Sequence, residues 1–174
     1  MDPGVKELHA GRHLRLVVRK GWEFVERPGI LGIVLVVAVT PENRLLLVEQ
    51  WREAVGANVL ELPAGLSGDA GSPAGEPLKE AARRELVEET GWDATAMERL
   101  TTGPPSAGVT SEIVTFFRAR GLSKVGAGGG VEGEAITVHE VPLAAVEDFL
   151  AAREAGGSLV DPKVWAGLWF AYRP

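Results

Sequence analysis

The 174-residue sequence predicts an α/β sandwich, a mixed β-sheet with few helices, folded as a single domain. Short runs rich in Val, Ile and Leu recur between turn signals, as in IVLVVAVT (33–40), RLLLVEQWR (44–52) and EIVTFFRAR (112–120). Such runs are too short for helices of a globular core and read as strands. A polar segment, 77–91, opens on proline and closes on glycine, the asymmetry of a helix. Further helical segments close the chain, at 142–156 and 161–173.

Taken in order, LRLVVRKGWEFVERPG (14–29) reads as an N-terminal hairpin turning at Lys20 and Gly21. IVLVVAVT and RLLLVEQWR are joined by Pro41, Glu42 and Asn43 and read as a second hairpin. VLELPAG (59–65) is a strand ending in a Pro/Gly break, and SGDAGSPAGE (67–76) is a loop of small residues. Pro77 suits the first helical position and Gly91 the residue just past the end. Strand-like stretches follow around 95–101 and at 112–120. GLSKVGAGGGVEGE (121–134) reads as a mobile, glycine-rich surface loop, and AITVHEV (135–141) as a strand. PLAAVEDFLAAREAG (142–156) is an amphipathic helix stopped by Gly156 and Gly157. The last helix starts with Asp161 as cap and Pro162 behind it. Its residues Trp165, Leu168, Trp169 and Tyr172 keep the spacing of a buried face.

The formal net charge of −6 and a pI of about 5.2 argue against a nucleic-acid backbone or an anionic membrane surface as the main partner. An acidic chain that binds phosphates needs local arginines or a bridging cation. The absence of cysteine excludes disulfides, thiol catalysis and cysteine-ligated zinc. MDPGVKELHAGRH lacks the apolar core of a signal peptide, and GILGIVLVVAVT (29–40) is short of the ~20 residues of a spanning helix. A soluble cytoplasmic protein is the expectation. His9, His13 and His139 form no metal spacing and are expected at the surface or in packing.

The chemistry concentrates in ARRELVEETGW (82–92). At 100° per residue, Glu89 lies about 40° to one side of Glu85 and Glu88 about 60° to the other. Three carboxylates therefore crowd one arc, beside an apolar stripe of Leu78, Ala82 and Leu86. Small Ala81 is expected to leave room above them. Each like-charged i,i+4 pair costs roughly 0.2–0.5 kcal/mol, so the face is either simply solvated or offset by a bound cation. Mg²⁺ fits the second reading, because it takes a few carboxylates and completes its octahedron with water and phosphate oxygens. An i,i+4 pair from Arg84 would then hold Glu88 while Glu85 and Glu89 take metal.

Here the sequence resembles the Nudix hydrolases, whose signature is G-x5-E-x7-R-E-u-x-E-E-x-G-u with u apolar. Glu76, Arg84, Glu85, Leu86, Glu88, Glu89, Gly91 and Trp92 match it from the first glutamate onward. The initial glycine departs: position 70 is Ala70. Gly65 of ELPAG stands ten residues before Glu76, with the five-residue excess in the loop. VEQWREAVGANVLELPAG (48–65) and SAGVTSE (106–112) are similar to the ADP-ribose pyrophosphatase branch, except that Ala107 stands where that branch has proline.

The resemblance implies a Nudix fold, an α/β/α sandwich on a mixed sheet, with residues 30–174 as the hydrolase domain and 1–29 as a dimerising N-terminal hairpin. It implies a pyrophosphohydrolase that uses Mg²⁺ or Mn²⁺ and an attacking water, leading to ADP-ribose as substrate, with AMP and ribose 5-phosphate as products. Glu85, Glu89 and the carbonyl of Ala64 are the implied metal ligands, with Glu134 as a further contact. Glu132 is the implied base on a closing loop, the roles of Glu132 and Glu134 being interchangeable at this stage. Glu88 ligates or holds a metal water, and Arg84 and Glu76 brace loop and helix. Arg52 contacts the diphosphate or the terminal ribose phosphate, and Glu112 faces the site from its loop. Trp22 or Phe24 reaches the nucleobase of the partner's site in a homodimer, or packs in the core. Cleavage of nucleoside triphosphates or dinucleotides on the same scaffold is the second enzyme reading. A non-catalytic ADP-ribose-binding module is the third, and the intact acidic triad counts against it.

Overall fold

The structure is a computed structural model and describes residues 4–68, 75–131 and 135–173. Its strands are β1 (Val5–Ala10), β2 (Arg15–Arg19), β3 (Trp22–Glu26), β4 (Gly32–Val37), β5 (Arg44–Arg52) and β6 (Ala57–Glu61). β7 (Ala64–Ser67), β8 (Trp92–Gly103), β9 (Val114–Lys124), β10 (Thr137–Pro142) and the short β11 (Leu159–Val160) complete them. The helices are α1 (Leu78–Thr90), α2 (Val146–Ala155) and α3 (Pro162–Ala171). Two four-stranded sheets, ordered β7-β4-β9-β8 and β10-β5-β6-β11, carry the fold, and β1-β2-β3 form a third sheet. β4 runs parallel to β9 and β11 parallel to β6, so both larger sheets are mixed.

β4 explains the layering. Its side chains alternate between faces, and both are buried, which is why its sequence is continuously apolar rather than alternating. Leu35 and Val37 join Leu45, Leu47, Leu60 and Phe116 in a core closed by Val146 and Leu150 of α2 and Val164 and Leu168 of α3. Val34 and Val36 point the other way, to Ala81, Ala82 and Leu86 of α1.

Several sequence expectations are corrected. β4 and β5 do share a tight turn, with Asn43 at φ 57°, but their pairing is limited to the Val39–Leu45 bridge beside it. β4 is already bonded on both edges, to β7 and β9, so β5 peels away and pairs with β6 and β10. Pro63 likewise does more than end a strand: β6 and β7 on either side of it belong to different sheets. The N-terminal hairpin turns at Lys20 and Gly21 as expected, and gains β1 as a third strand.

The face of α3 is also different. Val164, Gly167 and Leu168 are buried, whereas Trp165, Trp169 and Tyr172 are 45%, 54% and 47% exposed. The helix is apolar nearly all round, so spacing alone does not choose its face. A Cβ on Gly167 would stand 2.7 Å from Leu62, and this close approach sets the rotation.

The glycine-rich stretch is not a free loop where it is described. Residues 121–124 continue β9, and the next segment lies on the C-terminal end of α1. Gly129 and Gly130 donate to the carbonyls of Glu89 and Glu88 at 2.8 and 3.0 Å, and Val125 donates to Gly91 at 2.8 Å. These bonds satisfy carbonyls that a helix end leaves without partners. Only glycine allows the approach, since a Cβ on Gly128 would fall 2.4 Å from the backbone of Thr90.

Candidate active site

α1 is anchored through Ala81, Ala82 and Leu86, all fully buried. Ala81 therefore packs in the core rather than leaving clearance above the acidic patch. The anchoring turns Glu85, Glu88 and Glu89 to the edge of the packed face, and Glu89 is itself 5% exposed. Its Oε2 accepts the N–H of Ala64 at 2.9 Å, tying the helix to the start of β7.

Arg84 stands at the centre of the carboxylates. It donates to Glu76 at 3.2 Å, Glu85 at 2.9 Å, Glu88 at 3.0 Å and the carbonyl of Leu66 at 3.2 Å. Burial works against its charge, but the Glu76 hydrogen bond and the fields of Glu85, Glu88 and Glu76 outweigh that and raise its pKa. The pair with Glu88 is the i,i+4 contact that spacing predicts; the contact with Glu85 is not. The Glu85 carboxylate occupies the space that a side chain at position 65 would fill, with a Cβ on Gly65 only 1.9 to 2.4 Å from it. Gly65 is thus the floor of a cradle for Glu85.

These groups form one wall of a cavity of about 630 Å³ lined by Ala64, Gly65, Arg84, Glu85, Glu88 and Glu89. Among the described residues no three acidic side chains enclose an ion by themselves. The wall suits a hard cation that takes a few carboxylate oxygens and leaves its other positions to water and substrate. Arg52, expected here, lines the cavity and binds Glu61 at 2.6 Å. Burial raises the Glu61 pKa, against the opposing pull of Arg52, and Asp161 adds to the rise. Glu112 also lines the cavity and holds Arg27 at 3.1 Å.

Four polar lining residues are not foreseen from the sequence: Arg27, Gln50, Glu61 and Lys163. Glu61 opens the ELPAG stretch, so its neighbourhood carries a signal. Lys163 has none, because its place depends on where α3 docks. Trp22 and Phe24 are not among the lining residues. Trp22 is 64% exposed and donates to the carbonyl of Gly108 at 3.2 Å, and Phe24 lies 5.5 Å from the Arg19 guanidinium. Glu132 and Glu134 lie outside the described residues. His9 and His13 are exposed, and His139 lies away from the cavity, 2.9 Å from buried Glu49.

Comparison with known proteins places this geometry among relatives. Residues 31–159 match the NUDIX domain model. A methanol dehydrogenase activator of Bacillus methanolicus is 37% identical over 122 residues, covering 70% of this chain and 62% of that protein. An ADP-ribose pyrophosphatase of Bacillus subtilis (strain 168) is 35% identical over 133 residues, 76% of this chain and 68% of the other. The match thus spans less than two thirds of the first and slightly more of the second. A crystal structure of an ADP compounds hydrolase shares the fold, with a TM-score of 0.65 at 22% identity over 84% of this chain and 80% of that one.

Proposed function

Because this chain belongs to the NUDIX family, we propose that its acid-walled cavity hydrolyses a nucleoside diphosphate linked to another group, with ADP-ribose as the preferred substrate. The observation that carries this reading is one cavity with Glu85, Glu88 and Glu89 on one wall and Arg27, Arg52 and Lys163 on the others. A diphosphate needs cations on more than one side; a metal ion on the acidic wall would supply one, and Arg27 and Arg52 the others.

Glu85, Glu89, the Ala64 carbonyl and Glu134 would hold Mg²⁺ or Mn²⁺. Such an ion, when bound, neutralises the diphosphate and lowers the pKa of a coordinated water. Arg84 keeps Glu85 and Glu88 in place without touching substrate. Arg27 and Arg52 turn from Glu112 and Glu61 toward phosphate oxygens and fix the diphosphate for in-line attack. Glu132 takes the proton of the attacking water, with Glu134 as the alternative base. The water oxygen bonds to phosphorus as the bridging P–O bond breaks, giving AMP and ribose 5-phosphate.

The functional unit is a homodimer joined through the N-terminal sheet, with Trp22 or Phe24 against the partner's nucleobase. Leu8, Leu14, Leu16 and Trp22 are all more than a third exposed there, which supports an apolar interface. Among the described residues no helix is long and apolar enough to cross a membrane. The test is incubation with Mg²⁺ and a panel of ADP-ribose, other sugar nucleotides, NADH, dinucleoside polyphosphates and nucleoside triphosphates, with the products identified. Release of AMP from ADP-ribose at the highest kcat/KM is expected; preference for triphosphates or dinucleotides would overturn the assignment.

A further inference from the structure

The cavity wall formed by Gln50, Arg52, Glu61 and Lys163 differs in kind from the acidic wall. Its cations are already neutralised: Arg52 bonds Glu61 at 2.6 Å, and the Lys163 ammonium is held by Asp161. Arg52, Glu61 and Lys163 line the wall together with the neutral amide of Gln50, and Asp161 binds the lysine from outside the lining. Once Arg52 has turned to the phosphate, Glu61 and the Asp161-held Lys163 remain, and together they offer little net attraction to a diphosphate. They offer donors and acceptors at close spacing, which is what a neutral group bearing several hydroxyls requires. Glu61 and Arg52 come from adjacent strands, while Lys163 comes from α3, beyond the 31–159 span matched by the family model. The Asp161 cap fixes the α3 N-terminus by accepting the Lys163 N–H at 2.8 Å, so the lysine is presented from a defined backbone.

We propose that Glu61 and Lys163 form the subsite for the hydroxylated group linked to the nucleotide, making the N-terminus of α3 a specificity element. This rests on the hydrolase reading above. In the subsite the Glu61 carboxylate accepts from one sugar hydroxyl and the Lys163 ammonium donates to a neighbouring one. Asp161 holds the lysine without touching the sugar.

The test compares two substrates in two variants, Lys163→Met and Glu61→Gln. ADP-ribose carries the hydroxylated group, and the methyl ester of ADP retains the diphosphate linkage without it. Losing a hydrogen bond that involves a charged group lowers kcat/KM by at least about tenfold. Each variant is therefore expected to lose at least about tenfold more kcat/KM on ADP-ribose than on the methyl ester. Equal losses on both would make these residues diphosphate contacts and overturn the subsite, and so would equal retention. The melting temperature of Lys163→Met checks that α3 remains docked. If the parent protein cleaves no nucleoside diphosphate derivative at all, the hydrolase reading fails instead, which the parent's own rates reveal.

Discussion

Replacing Gly65 by alanine should damage catalysis while leaving the fold intact. The backbone at Gly65 is not left-handed, so alanine fits its φ and ψ, and the residue lies in a strand opposite Val34. The added Cβ would nevertheless sit 1.9 Å from the Glu85 carboxylate carbon, where ordinary contact begins at 3.4 Å. The carboxylate must therefore retreat by about 1.5 Å, which a flexible side chain does at a rotamer cost of about 0.5–1.5 kcal/mol. At roughly 2–4 °C per kcal/mol for a chain of this size, the melting temperature should fall by no more than about 6 °C. Catalysis is less forgiving, because a displacement of about 1 Å in a positioned group costs on the order of 10²-fold, or about 2.7 kcal/mol of barrier. We expect Gly65→Ala to lose about 10²-fold in kcat on ADP-ribose, with reduced Mg²⁺ affinity in titrations and a nearly native circular dichroism spectrum. Parent-like kcat at saturating Mg²⁺ would refute the claim that Glu85 works from the cradle at Gly65.

Four further outcomes test the rest. Glu89→Gln removes one charge from a crowded wall, so metal-free stability should be unchanged or slightly raised while kcat falls at least about 10²-fold; turnover near the parent's in saturating Mg²⁺ would exclude Glu89 as a ligand. Glu132→Gln should lower kcat with Mg²⁺ affinity nearly intact, and the reverse pattern, with Glu134→Gln behaving as the base variant, would exchange the two roles. Deleting residues 1–29 removes Arg27 and the bonds by which Val25 holds Val109 and Ser111. It should give a poorly soluble or monomeric protein that binds nucleotide weakly, whereas a fully active full-length monomer by light scattering would refute the dimer. Burial opposes the charge of Glu49, but hydrogen bonds from Ser158, His139 and Arg153 hold its pKa below the usual carboxylate range. Its stabilisation is thus complete above the ordinary value of 4.5 and is lost as pH falls through the lower folded value. Glu49→Gln leaves only a half-exposed Arg153 charge behind, so it should cost about 1.5–3 kcal/mol in urea unfolding at pH 7 and flatten the acid limb below pH 4.5, and an unchanged acid limb would contradict this.

The elements that local chemistry dictates are legible in the chain itself. α1 follows from Pro77, Gly91 and its apolar stripe, and its glutamates from their angular spacing, because a helix fixes the relative directions of its own side chains. The same holds for the Lys20–Gly21 turn and the Asp161 cap. The rest depends on contacts between segments far apart in the chain. Spacing on α3 names two tryptophans and a tyrosine as its buried face, but the approach of Gly167 to Leu62 decides the rotation. Glycine content suggests a mobile loop at 121–134, yet the described part of it serves carbonyls at the end of α1, which no local pattern foretells. The hairpin of β4 and β5 divides because β4 finds partners on both edges, one of them encoded some eighty residues later. Lys163 reaches the cavity for the same reason: the position of a helix end in space is set by what the rest of the chain has already buried.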